Sequence, residues 1–312
     1  MSFSQSVKEE IFKNVQKLKG CCATSFLTAV LKSIGSLCLD ENGYCFSVET
    51  DNLALLDFCG NLCQNKFATD CAIYQIGEDG SKNARYVGKF PASLGEKLRL
   101  TYRDDEGFFR IADEVSVNLQ NHCCRRSFVQ ALFLSCGSAT IPDVANDTFA
   151  ESDHSNYHLE LRFSNWDFAE FVLKTFAELE FRQTQRKNNA VLYIKDSEKI
   201  SDFFVFVDAV NAKFTLENVL IGRSYRNAAN RQRNCIDSNI DRAVSAAVKQ
   251  LEVIAKIRNA GKFDVLPQQL KEVAVAREQN PSANLAELAA ILRISKSGVT
   301  HRLAKLTEFA EK

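Results

Sequence analysis

The sequence predicts an α+β fold: a duplicated domain with pseudo-two-fold symmetry, then a helical tether, then an all-α helix-turn-helix domain. Three observations carry this. A sixteen-residue stretch occurs twice, 102 residues apart and without a gap. Each copy is followed by the same alternation of helical and strand-like periodicity. The C-terminal segment breaks into three short helical runs with the punctuation of a helix-turn-helix. The expected boundaries are 1–219 for the duplicated domain (halves about 1–110 and 111–219), 220–264 for an Arg-rich segment and tether helix, and 265–312 for the helix-turn-helix.

The two copies are CCATSFLTAVLKSIGS at 21–36 and CCRRSFVQALFLSCGS at 123–138, identical at eight of sixteen positions. An internal repeat fixes architecture before any local reading does. Phe26, Leu27, Val30, Leu31 and Ile34 recur with helical spacing, as do Phe128, Val129, Leu132 and Phe133. Each copy ends in Gly-Ser, and Gly is the usual residue just past a helix C-terminus. Small residues stand at i, i+4 and i+8 (Ser25, Ala29, Ser33; Ser127, Ala131, Ser135). Such a stripe lets two helix backbones approach closely, so the copies are expected to pack on each other along a pseudo-two-fold axis.

The pattern resembles the LAGLIDADG motif of homing endonucleases: LTAVLKSIG at 27–35 and VQALFLSCG at 129–137. In that family the residue before the last Gly is an acid, and one from each helix holds the divalent metal for DNA cleavage. Here those positions are Ile34 and Cys136. Hard divalent cations want oxygen ligands. The resemblance therefore implies the packing of the family without its catalysis. Ala29 and Ala131 stand where the family packs a small residue.

In chain order, residues 4–18 read as a helix capped by Ser4, with Val7, Ile11, Val15 and Leu18 on one face. After the first copy, Asn42-Gly43 between two β-prone runs signals a hairpin. Residues 52–65 return to helical spacing. ATDCAIYQIG and ARYVGKF read as strands about a turn at Glu78-Asp79-Gly80, and Pro91 opens a short helix. In the second half the helix covers 125–136 and a polar, turn-rich loop 138–155. YHLELRF alternates as a strand, and Asn165 caps WDFAEFVLKTFAEL. AVLYIKD is a strand, SEKISDFFVFV begins as a helix, and residues 214–219 close the unit. Sheets on one side and helices on the other are expected in each half.

Net charge is zero but uneven. Residues 216–312 carry 16 Lys and Arg against 10 Asp and Glu, a local +6, which leaves −6 on residues 1–215. A saddle lying along duplex DNA should be basic, and the N-terminal two-thirds is not. The footprint for a polyanion lies in the C-terminal third. No apolar run reaches membrane-spanning length. The charged N-terminus lacks a signal-peptide stretch, and eleven cysteines in a chain of this length read as buried thiols of a reducing compartment. The expectation is a cytoplasmic, nucleoid-associated protein that does not enter a membrane.

From Leu220 the chain carries Arg223, Arg226, Arg231 and Arg233, four arginines in eleven residues without an acid. They are candidate phosphate contacts. Residues 238–260 form a periodic helix with an apolar stripe of Ile240, Val244, Ala247, Leu251, Ile254 and Ile257, closed by Gly261. Pro267 starts a helix to about Gln279. Asn284 with Glu287 three residues on forms a capping box for LAELAAIL. Arg293-Ile294 makes a tight turn, and Ser295 caps KSGVTHRLAKLTEFA. In that last helix Val299, Leu303 and Leu306 face a small core. Ser297, Thr300 and His301 are placed to reach base edges in the major groove, and Lys296, Arg302 and Lys305 to hold phosphates. Double-stranded DNA is the expected partner. A helical bundle used for protein contacts is the alternative.

Other sites are weaker. Cys21-Cys22 and Cys123-Cys124 occupy matching repeat positions, which suggests core packing. Cys59 and Cys63, four apart on a helix, lack a full ligand set. His154 and His158 share i, i+4 spacing in a loop entering a strand. No metal, cofactor, Gly-rich phosphate loop or nucleophile motif is read from the sequence.

The combination, with NAANRQRNCIDSNIDRAVSAAVKQLEVI at 227–254 and NPSANLAELAAILRISKSGVTHRLAKL at 280–306, is similar to the WhiA family over nearly the whole chain. The resemblance implies a bacterial DNA-binding regulator, tied to sporulation genes in actinomycetes and to cell division and chromosome segregation in other Gram-positive bacteria. Two other functions compete. One is an active endonuclease, which Ile34 and Cys136 argue against. The other is a scaffold whose repeat domain binds a protein or small ligand.

Overall fold

The computed structural model describes residues 2–16, 18, 20–41, 43–76, 84–112, 114–142 and 157–311. The chain divides into two compact units, Met1–Gly222 and Arg223–Lys312. The first begins with helices α1 (Phe3–Val15) and α2 (Gly20–Ile34), then β1 (Gly35–Asp40), β2 (Gly43–Thr50), α3 (Leu53–Phe67), β3 (Ala72–Ile76), β4 (Arg85–Pro91), α4 (Ala92–Lys97), β5 (Thr101–Arg103) and β6 (Phe109–Ile111). The second half runs α5 (His122–Cys136), β7 (Gly137–Thr140), β8 (His158–Phe163), α6 (Trp166–Thr175), β9 (Arg182–Arg186), β10 (Asn189–Ile194) and α7 (Ser197–Phe206). The two four-stranded antiparallel sheets have the same strand order, β1-β2-β4-β3 and β7-β8-β10-β9. The duplication read from sixteen residues thus extends to whole sheets.

The paired helices α2 and α5 form the axis. Ala29 and Ala131 are fully buried, and the stripe of small residues meets across the pair: Ser33 Oγ lies 2.9 Å from Ser135 Oγ, and Ser127 Oγ donates to Cys22 O at 3.1 Å. Phe26, Phe128, Phe163 and Phe203 are fully buried in one continuous core beneath both sheets. Each such side chain contributes roughly 1.5–3 kcal/mol relative to exposure.

Several elements differ from the sequence reading. Gly35 and Gly137 are not left-handed caps. Gly137 is extended (φ −90°), and both begin the strand that follows their helix with no intervening loop. Glycine is needed there for space. A Cβ on Gly35 would lie 2.4 Å from Leu31 O, and one on Gly137 2.6 Å from the Phe133 ring. The cap of α1 is Ser2, whose Oγ accepts from Gln5 N, rather than Ser4. The expected loop at 138–155 opens with the strand β7. Its residues 143–156, which include His154, lie outside the described residues, as do Asn42 of the hairpin and the turn at Glu78-Asp79-Gly80. Strand β9 and the β5–β6 hairpin had no clear period in the sequence.

The largest difference is α8 (Val210–Asn259). It runs unbroken through the expected closing segment, the Arg run and the tether. Its start is fixed by α1: the Glu10 carboxylate accepts from the Asn211 and Ala212 amides at 2.7 and 2.9 Å, a side-chain cap delivered from 200 residues away in sequence. Ala212 and Leu216 enter the first core, and Leu220 packs against it. Among the described residues no helix is long and apolar enough to cross a membrane.

In the second unit, Ile254 and Ile257 at the end of α8 pack with three short helices, α9 (Gln268–Gln279), α10 (Leu285–Leu292) and α11 (Lys296–Ala310). The stripe predicted along the tether is buried only toward this end. Ala247 is enclosed, whereas Ile240 and Val244 are 55% and 56% exposed. Periodicity along a helix defines a face. It does not supply a surface to cover that face.

Candidate nucleic-acid interface

Local chemistry sets the geometry of the last two helices. The Asn284 side chain accepts from the Ala286 and Glu287 amides while Glu287 accepts from Asn284 N, the capping box expected for α10. Arg293 then adopts a left-handed conformation (φ 53°), and the Ile294 amide reaches back to Ala289 O at 3.0 Å. Ser295 caps α11 by accepting from Gly298 N at 3.1 Å. The turn is therefore tight, and the first turn of α11 starts at a fixed place.

Val299, Leu303 and Leu306 are buried against α9 and α10. The opposite face of α11 presents Lys296, Ser297, Thr300, His301 and Lys305, all exposed. The Thr300 hydroxyl donates to Lys296 O at 3.0 Å and keeps its lone pairs outward; Ser297 Oγ lies 3.0 Å from Ser295 Oγ. Arg302 departs from the expected role. It is largely buried, its side chain only 20% exposed, with its guanidinium 3.8 Å from Glu272 of α9. It ties α11 to α9 and is poorly placed to hold a phosphate.

On α8, Arg231 and Arg233 are exposed, while Arg223 and Arg226 are half-buried. At about 100° per residue, Arg223, Arg226 and Arg233 fall within about 80° of one another and Arg231 projects to the other side. The Arg run, expected as a segment of candidate phosphate contacts ahead of the tether helix, lies inside α8, which fixes these cations at regular spacing.

One residue that holds this unit together was not singled out in the sequence. Arg277 is 2% exposed, and its Nη1 donates to Ala283 O at 2.6 Å, with Pro281 O and Asn280 O at 3.4 and 3.5 Å. Burial pushes its pKa down. The guanidinium satisfies the carbonyls of the α9–α10 connection, which would otherwise be stranded. A signal was present: Arg277 follows Leu270, Val273 and Ala274 at i+7 of a buried stripe. Nearby, Arg258 grips Glu278 with two bonds of 2.8 and 2.7 Å and lies over the Phe263 ring.

The first unit offers less to DNA. Some cations of its sheets are engaged by acids of the same sheet. The Glu160 carboxylate takes His158, Arg162 and Arg186 at 3.0, 2.9 and 2.9 Å. Burial would raise this carboxyl, but those three partners hold it below its ordinary range. On the other sheet Asp40 pairs with Lys89 and Glu49 with Arg85. At the C-terminal ends of α2 and α5, Ile34 packs partly against the core, and the Cys136 thiol donates to Leu132 O and is pushed by burial up to about 12. Close by is Lys8, whose ammonium burial destabilises against the pull of Asp51 and Cys136. A lysine stands near the place where the endonuclease resemblance would put a cation between carboxylates. These residues do not fit a divalent metal.

Two family models match the chain: the WhiA LAGLIDADG-like domain over residues 125–226 and the WhiA C-terminal HTH domain over residues 229–310. Whole-length relatives decide the assignment. The "Probable cell division protein WhiA" of Carboxydothermus hydrogenoformans is 34% identical across 100% of this chain and 98% of its own length. That of Caldicellulosiruptor saccharolyticus is 31% identical across 100% and 95%. The chain belongs to the WhiA family. The crystal structure of full-length DUF199/WhiA from Thermatoga maritima covers 100% of this chain and 98% of its own, with a TM-score of 0.54 at 23% identity, and so shares the fold. As a WhiA chain it carries a helix-turn-helix, and DNA binding follows from that domain.

Proposed function

We propose that this WhiA chain is a bacterial transcriptional regulator of cell division and chromosome segregation. It reads double-stranded DNA with α11, holds the backbone with α8, and has no nuclease activity. The observation that carries the reading is the exposed face of α11, where Lys296, Ser297, Thr300, His301 and Lys305 stand free of the core beside a capped N-terminal turn. N-terminal residues of a recognition helix are the ones that meet base edges. In this reading Ser297, Thr300 and His301 read bases, Lys296 and Lys305 hold phosphates, and Arg223, Arg226, Arg231 and Arg233 follow the adjacent backbone. The cell-division role is supported by the relatives' names. The protein is placed in the cytoplasm at the nucleoid, and the domain limits at 219 and 264 are part of the same proposal.

A second role is supported by the −6 charge of residues 1–215. The repeat domain binds a protein partner or small ligand and modulates the DNA-bound tail. The test of the first reading is selection of bound sequences from a random duplex pool by the full chain. An enriched motif is expected. Thr300→Ala and His301→Ala each weaken binding to it by about 1–3 kcal/mol and relax the preference at one position. A pool that emerges without enrichment contradicts the reading, as does specific nicking in the presence of Mg²⁺.

A further inference from the structure

The repeat brings together four cysteines that local sequence gives no reason to join. Cys21 and Cys22 lie in the first turn of α2, Cys123 and Cys124 in the first turn of α5. Because the helices pack side by side about the pseudo-two-fold axis, the two vicinal pairs meet at one end. All four Sγ atoms lie within 4.8 Å of one another, and the Cys21 and Cys22 sulfurs are 3.9 Å apart. A tetrahedral zinc with Zn–S bonds of about 2.3 Å places its sulfurs about 3.8 Å apart. The quartet needs to contract by at most about 1 Å, within reach of side-chain rotation.

The surroundings suit a bound cation better than packing. Cys22 and Cys124 are 3% and 2% exposed, Cys123 is half-buried and Cys21 is open to solvent, so the cluster is closed on the inside and has an entry path. Cys59 and Cys63, by contrast, are enclosed in the apolar core. The Ser25 hydroxyl is fully buried beside the Cys124 sulfur with no other partner, so it is placed to donate to that sulfur. The N-terminal ends of α2 and α5 at the cluster offset part of the negative charge of four thiolates around a divalent ion. The cluster lies about 20 Å along the helices from Ile34 and Cys136. It is therefore distinct from the carboxylate metal position of the endonuclease resemblance. Soft sulfur ligands also select against the magnesium such a position would take.

We propose that Cys21, Cys22, Cys123 and Cys124 form a tetrahedral thiolate site for one zinc ion, which staples the first turns of α2 and α5 and so locks the two halves of the repeat domain together. The sequence reading of core packing and no metal is revised on this point. The experiment is metal analysis of the reduced full chain prepared without chelator, followed by exchange into cobalt(II). The expected result is about one zinc per chain and, with cobalt, thiolate-to-metal charge transfer and the intense visible bands of a tetrahedral sulfur site. Cys21→Ser with Cys123→Ser, at the more accessible positions, is expected to keep the wild-type circular dichroism and lose both signals. A chelator then lowers the melting temperature of the wild type and leaves this variant unmoved. Cys22→Ala with Cys124→Ala repeats the test at the buried positions. A folded, reduced chain that shows no such cobalt bands overturns the proposal, and so does full zinc retention in the Cys21→Ser, Cys123→Ser variant.

Discussion

Arg277 places a charge where helical spacing calls for an apolar side chain, and Glu160 does the same on a strand. Both are enclosed and both are held by partners, so each is stabilising only as part of its set. Arg277→Ala leaves three loop carbonyls poorly satisfied and opens a cavity. The expected loss is about 3 kcal/mol for the helix-turn-helix unit, measured by urea denaturation. Arg277→Lys, a point charge without the planar fork, is expected to recover only part of this. For Glu160 the folded pKa lies below the unfolded one. Its contribution is present above the ordinary carboxylate range and is lost as pH falls through about 4 and below. Glu160→Gln is expected to flatten that part of the acid limb of the stability profile. An unchanged limb would show that the three partners do not stabilise the carboxylate. Arg277 was legible as the seventh step of a buried stripe. Glu160 was not singled out: His158 and Arg162 flank it at i±2 on β8, but Arg186 sits on β9 and only the sheet brings it close.

At the scale of elements, the caps were the most legible feature. Asn165 accepts from Phe168 N, Asn284 closes its box and Ser295 caps α11, each as its residue type and position implied. The repeat copies were legible as helices because their apolar and small stripes persist together. The glycines that end them were read for the wrong reason. Gly35→Ala, with its new methyl 2.4 Å from Leu31 O, cannot be accommodated by a side-chain rotation, because the obstacle is backbone. The expected cost is about 2–3 kcal/mol, with the urea midpoint falling and the slope unchanged. If glycine served here only to reach a left-handed conformation, the extended backbone would tolerate Ala at little cost. Strand β9 (Arg182–Arg186) was missed because RQTQR is polar on both faces, at the sheet edge. Helix α8 was read in pieces because Gly222 and the Arg- and Asn-rich run interrupt its apolar period, though nothing in that run forbids a helix.

At the scale of the whole molecule, the duplicated unit keeps the packed helix pair of an endonuclease-like fold. It lacks the carboxylates, and Arg85, Lys89, Arg162 and Arg186 of its sheets pair with acids of the same sheets. Exposed cations stand on α8 (Arg231, Arg233) and α11 (Lys296, Lys305). The proposed division of labour between a repeat domain and a DNA-reading tail has its sequence counterpart in the charge asymmetry. The equal strand orders that confirm the duplication were not legible there, because the second copy's sheet shares too few residue types with the first. The central claim is that the tail, and not the repeat domain, carries affinity for DNA. Its most direct test is the salt dependence of binding to one duplex by three full-length chains: wild type, Lys296→Ala with Lys305→Ala, and Arg162→Ala with Arg186→Ala. The first variant is expected to lower the slope of log K against log salt by about 2 and to weaken binding, and the second to leave both unchanged. A flattened slope in the sheet variant, with the α11 variant binding as wild type does, would contradict that claim and return DNA recognition to the duplicated domain.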